Sequence, residues 1–99
     1  MMMAVLDVDN DLCHIWAEEF PDTPGVPFVH IELKSWGVKE LKLLEFVWTQ
    51  FKLSLKNLGY KTVCSTIPNN DAKTIKFNQQ FGMTIRFECA AYTLLSQEL

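Results

Sequence analysis

Asn70-Asp71-Ala72-Lys73-Thr74-Ile75-Lys76-Phe77-Asn78-Gln79-Gln80-Phe81-Gly82-Met83 decides the fold of this chain. Asn70 or Asp71 can cap a helix by accepting from its free N–H groups, and Gly82 is a helix stop. On the wheel between them, Thr74, Phe77 and Phe81 form one flank, and Ala72 and Ile75 the other. Asn78 falls between the flanks, while Lys73, Lys76 and Gln80 turn away. Asn78 is therefore expected to face inward, where its amide needs partners. Ahead of this helix, Tyr60–Ile67 reads as a strand and Pro68-Asn69-Asn70 as a turn.

Upstream, the hydrophobic period changes from two to near four. Met3–Val8 and Leu12–Phe20 read as strands joined by the turn-forming Asp9-Asn10-Asp11. Pro21-Asp22-Thr23-Pro24-Gly25 is a turn cluster, and Phe28–Lys34 alternates cleanly as a third strand. From Val38 to about Leu58, apolar residues recur at spacings of three and four: Val38, Leu41, Leu44, Trp48, Phe51, Leu55 and Leu58. Leu43, Phe46 and Leu53 fall on the far side of that wheel. So much apolar girth predicts a helix covered on two sides, by the sheet and by a partner such as a second copy of the chain. Gly59 is its expected stop, and Met83–Glu88 and Tyr92–Leu95 read as closing strands. The order β-β-β-α-β-α-β-β predicts an α+β sandwich with a mixed, mainly antiparallel sheet in a single domain over residues 1–99.

Composition narrows the function classes. A net charge of −3 and a pI near 5.2 give no overall attraction to nucleic acid or to an anionic membrane. Cys13, Cys64 and Cys89 are odd in number and widely spaced, which favours buried thiols in a reducing compartment over a disulfide framework or metal site. The N-terminal Met1-Met2-Met3 leads into Asp7, Asp9 and Asp11 without a basic leader or a long apolar run, so a cytoplasmic location is expected. No serine sits in a G-x-S-x-G context.

Lys34-Ser35-Trp36-Gly37-Val38-Lys39, placed between a strand and the long helix, resembles the pyrophosphate loop of the Gcn5-related N-acetyltransferases, whose pattern is Gln/Arg-x-x-Gly-x-Gly/Ala. Gly37 matches the first glycine, Lys34 stands at the Gln/Arg position, and Lys39 replaces the second small residue. Trp36-Gly37 is similar to the Trp-Gly pair of several subfamilies, small phage-encoded members among them. In the short helix, Asp71 takes the family's Asn position, Thr74 its Ala/Ser and Met83 its Phe. Asn78 takes the place of the Tyr that protonates the departing thiolate in many members, and Asn is no general acid near neutral pH. The resemblance spans about Val29 to Leu95. The helix pair that shapes the acceptor side in full-length members has no counterpart in the first 28 residues.

That resemblance implies an acyl-CoA N-acyltransferase-like fold, acetyl-coenzyme A as co-substrate and an amine-bearing small molecule or protein as acceptor. Leu33, Lys34, Trp36, Gly37, Val38, Lys39 and Asn78 are the implied cofactor contacts. Glycine permits backbone N–H groups to close on an anion at a positive helix end. Lys34, Lys39 and Lys42 lie at that end, where a bound anion would make their charge favourable. Glu32 and His30 share one face of the third strand and are candidates for deprotonating an amine. A second reading, from another class, keeps the fold as a non-catalytic interaction module, a virion component or an inhibitor of a host protein.

Overall fold

In the computed structural model, which describes residues 3–99, the element order is the expected one. The strands are β1 (Met3–Asp9), β2 (Cys13–Glu19), β3 (Pro27–Leu33), β4 (Thr62–Pro68), β5 (Thr84–Glu88) and β6 (Tyr92–Glu98). The helices are α1 (Val38–Asn57) between β3 and β4, and α2 (Ala72–Gln80) between β4 and β5. Met1 and Met2, on which the leader-free reading rests, lie outside the described residues.

All six strands form one sheet in the order β1-β2-β3-β4-β6-β5. Every neighbouring pair is antiparallel except β3 with β4. The turn between β1 and β2 is closed by Asn10, whose Oδ1 accepts from the N–H groups of Leu12 and Cys13, both at 2.9 Å.

The two crossovers, β3-α1-β4 and β4-α2-β5, each join parallel strands and step the same way along the sheet. Right-handedness of both therefore places α1 and α2 on the same face. The Trp48 ring N–H donates to the Phe81 carbonyl at 3.3 Å, tying the middle of α1 to the end of α2. Beneath the helices, Cys13, Ile15 and Ala17 of β2, Val29, Val63, Ile67 and Leu95 make one core with Leu44, Trp48, Phe51 and Leu55 of α1.

The long helix departs from the expected burial. Leu44, Trp48, Phe51 and Leu55 are buried, so contact with the core begins in the second turn and runs to the last. Val38 and Leu41, read as part of the packed stripe, are exposed at the N-terminal end of this 20-residue helix, about 30 Å long, and Leu58, also read so, is exposed just past its C-terminal end. Leu43, Phe46 and Leu53 also face solvent in the single chain.

Two strand boundaries differ from the sequence reading by more than one residue. Tyr60 belongs to the helix end, its N–H donating to the Leu55 carbonyl at 3.2 Å, so β4 begins two residues later. At the other end, β6 runs past Leu95 because Ser96, Gln97 and Glu98 pair with Cys64, Val63 and Thr62. Their polar side chains hide that extension from a hydrophobic-pattern reading.

Candidate functional site

β3 and β4 meet at a single pair, Phe28 with Cys64, near the start of both strands. Beyond it they diverge. The parity of the ladders fixes which backbone groups face the gap. The Lys34 N–H donates to the Leu12 carbonyl at 2.9 Å, so the even-numbered residues of β3 turn their polar groups to β2. Ile31 and Leu33 therefore direct N–H and C=O into the gap. On the other side, the Leu99 N–H to Lys61 carbonyl bond assigns odd-numbered residues of β4 to β6, leaving Thr66 facing the gap. Pro68, next in that register, has no N–H to leave unpaired.

A cavity of about 740 Å³ fills this opening and reaches both faces of the sheet. From the helix face it is lined by Asp71, Thr74, Phe77 and Asn78, and from the bare face by Trp16, His30 and Glu32. Its volume lies within the ~300–1,000 Å³ of small-molecule sites. Leu33 and Trp36 complete the wall at the end of β3. Trp36 is largely exposed and meets Phe77 edge-on, ring centroids 6.0 Å apart.

The start of α1 lies just beyond. Gly37 is the N-cap at φ 154° and ψ 171°, a conformation essentially confined to glycine, and no side chain caps it by a hydrogen bond. The carboxylate of Glu40, the third helical residue, folds back into the space that a Cβ on Gly37 would occupy. This end of the helix thus already has an anion against it. Val38 and Lys39 project into solvent.

Lys34 goes elsewhere. Its Nζ donates to Asp9 Oδ1 on β1, and it does not line the cavity. That bond holds the Asp9 carboxyl below the usual carboxylate range and raises the Lys34 amine. Of the residues read from sequence, His30, Glu32, Leu33, Trp36 and Asn78 converge on the cavity, whereas Gly37, Val38 and Lys39, which follow Trp36 at the start of α1, do not line it.

Asn78 is buried, as its wheel position predicts. Its Nδ2 donates to the Thr74 carbonyl at 2.8 Å within α2, one turn back. Asp71 caps the same helix: Oδ1 accepts from the Thr74 N–H at 3.2 Å and Oδ2 from its hydroxyl at 2.7 Å.

On the bare face, rings stand in a row across two strands. His14 and Trp16 stack with centroids 4.3 Å apart, and Trp16 and His30 with centroids 5.1 Å apart. His14 Nε2 is 2.8 Å from Asp7 Oδ1, and His30 Nε2 is 3.3 Å from Glu18 Oε2. Glu32 is exposed. Cys64, at the point where β3 and β4 touch, is pushed up in pKa by burial, so it is a poor nucleophile. Sequence reading neither locates the β4 wall, Ser65 to Pro68, nor brings Glu18 and His14 to this site. Register is the missing information, because alternation gives a residue's face but not its neighbour.

A six-stranded mixed sheet opened between two parallel strands, with both helices on one face, is the acyl-CoA N-acyltransferase-like fold of the Gcn5-related acetyltransferases. Three solved structures show the likeness. The acetyltransferase of the GNAT family from Streptococcus pneumoniae superposes with a TM-score of 0.62 at 11% identity, over 88% of this chain and 57% of that one. The yncA protein of Salmonella typhimurium, solved with its cofactor acetyl-CoA, gives 0.67 at 10% identity, over 88% and 57%. The Campylobacter jejuni N-acetyltransferase PseH in complex with acetyl coenzyme A gives 0.56 at 16%, over 90% and 70%. The chain thus spans little more than half the length of the first two. No family model matches the sequence, and no curated protein does. Among the described residues no helix is long and apolar enough to cross a membrane, and no group of three or more His, Cys, Asp or Glu could hold a metal ion.

Proposed function

We propose that this chain binds acetyl-coenzyme A in the gap between β3 and β4 and transfers its acetyl group to a primary amine approaching from the bare face. The observation that carries this reading is the cavity that passes through the sheet. It joins the gap-facing backbone of β3 and side chains of α2 to His30 and Glu32 on the bare face. A pantetheine arm is a narrow chain with two amides. The N–H and C=O groups of Ile31 and Leu33 suit it in the way that an open strand edge suits a peptide. Trp36 and Phe77 offer apolar walls, and the backbone at Gly37, Val38 and Lys39 would face the diphosphate, provided the Glu40 carboxylate moves aside. Bound there, the cofactor supplies an activated acetyl group. The protein's share is to position the thioester against the amine, exclude water and take up the amine's proton. With Asn78 in the family's Tyr position, the departing thiolate would draw its proton from water.

Titration calorimetry with acetyl-coenzyme A and coenzyme A tests this reading. Binding in the micromolar range, followed by product formation across a panel of primary amines, is the expected result. No heat at millimolar ligand would refute it and leave the non-catalytic interaction module. That second reading draws support from Lys34 being committed to Asp9 and from the exposed Leu43, Phe46 and Leu53.

A further inference from the structure

The bare face holds a contact that the acetyl-transfer reading does not use. His30 lines the cavity, yet its Nε2 is turned away from solvent and makes no hydrogen bond of good geometry. Instead it lies 3.3 Å from Glu18 Oε2. Glu18 is itself only 20% exposed and does not line the cavity. The register explains the meeting: Trp16 opposes His30 and Glu18 opposes Phe28, so Glu18 and His30 are diagonal neighbours on one face. Trp16 stacks on the His30 ring, interplanar angle 21°, and is backed in turn by His14. The imidazole is held by a flat wall on one side and a carboxylate at one nitrogen.

We propose that Glu18 and Trp16 are positioning residues that fix the neutral His30 ring as its Nε2–H tautomer, leaving Nδ1 as the proton acceptor for the incoming amine. The chemistry follows from the two nitrogens being distinct: a carboxylate beside one selects the tautomer that carries hydrogen there, and the other keeps its lone pair. The acceptor's ammonium gives one proton to Nδ1, so an N–H bond breaks and its electron pair stays on the amine nitrogen, now a nucleophile. The ring becomes imidazolium, with the positive charge stabilised by Glu18. Glu32, exposed and without a hydrogen-bonded or ion-paired partner among the described residues, is the weaker candidate. No neighbouring group among the described residues fixes the Glu32 carboxylate, whereas the His30 ring is held at one nitrogen and against one flat wall. The inference rests on the acetyl-transfer reading for its chemistry, but the tautomer stands independently of it.

Long-range ¹H–¹⁵N correlation spectra of the full chain, recorded where imidazoles are neutral, report which ring nitrogen carries hydrogen. The wild-type protein is expected to show His30 as the Nε2–H form. Glu18→Ala should give a mixture of both forms, and Glu18→Gln, which keeps an oxygen acceptor, should preserve more of the Nε2–H form. A wild-type ring in the Nδ1–H form, or a ring indifferent to Glu18→Ala, overturns the proposal without any assay of activity. In turnover, His30→Ala should lower kcat by ~10²–10⁴-fold, the usual share of a general base, with Glu18→Ala losing part of that factor at unchanged KM. A larger loss from Glu32→Gln than from His30→Ala would also overturn it. Failure to bind acetyl-coenzyme A would refute the acetyl-transfer reading, while the tautomer assignment would still stand or fall on the spectra.

Discussion

Gly37→Ala is the substitution whose cost can be worked most fully from the structure. Gly37 holds φ 154° and ψ 171°, a region that costs a non-glycine residue on the order of 1–3 kcal/mol. A Cβ there also runs into the Glu40 carboxylate. Moving that carboxylate away from the start of α1 forfeits a charge–dipole interaction of about 0.3–1 kcal/mol. Against these, alanine restricts the unfolded chain and recovers roughly 0.4–1 kcal/mol. The net expectation is a loss of roughly 1–3 kcal/mol, which for a domain of this size lowers Tm by roughly 5–20 °C. Urea denaturation followed by circular dichroism reads it as a lower midpoint at unchanged slope.

Gly59→Ala is the internal control. It has φ 101° but nothing within 4 Å of a new Cβ, so it carries strain without collision. In a Glu40→Ala background the cost of Gly37→Ala should fall toward the strain alone, because the colliding group is gone. Equal stability of Gly37→Ala and wild type, or no coupling between positions 37 and 40, would refute the placement of Glu40 over the helix start.

Two further outcomes follow from side-chain contacts. Asp71→Ala removes both bonds to Thr74 and should cost about 0.5–2 kcal/mol in the same urea assay, whereas Asp71→Asn should recover most of it; equal losses from both would show that the cap is not the cause. The Tyr60 hydroxyl donates to Glu19 at 2.7 Å, lowering the Glu19 carboxyl below its usual range and raising the phenol above its own. The Glu19 contribution is present above the carboxylate's unfolded pKa and is lost as pH falls through its lower folded value. The Tyr60 contribution is present below the phenol's unfolded pKa and is lost as pH rises through its higher folded value. A Tyr60→Phe variant should therefore show a flatter stability profile at both extremes, and an unchanged profile would discount the bond.

How much is legible along the chain depends on the range of the interaction involved. The Asp71 cap, the Gly82 stop and the inward Asn78 are settled within one or two helical turns, and they can be read because the groups that satisfy them are close in sequence. The alternation of Cys13, Ile15 and Ala17 against His14, Trp16 and Glu18 yields two faces by the same local logic. Val38, Leu41 and Leu58 mislead because the wheel records direction around an axis but not which turns have a neighbour to pack against. Lys34 is expected beside an anion, yet Asp9 claims it, and only the pairing of β1 with β2 and of β2 with β3 brings that carboxylate within reach.

The residue pattern alone is enough for the elements, their order and the apolar side of each strand or helix, since backbone periodicity and capping are local properties. The remainder belongs to tertiary contacts. The gap between β3 and β4 exists because the strands pair once, at Phe28 and Cys64, and then part, a matter of register that no single segment encodes. The meeting of His30, Trp16 and Glu18 beside that gap likewise depends on where side chains arrive in space. Direction can be read along the chain, but neighbourhood has to be folded.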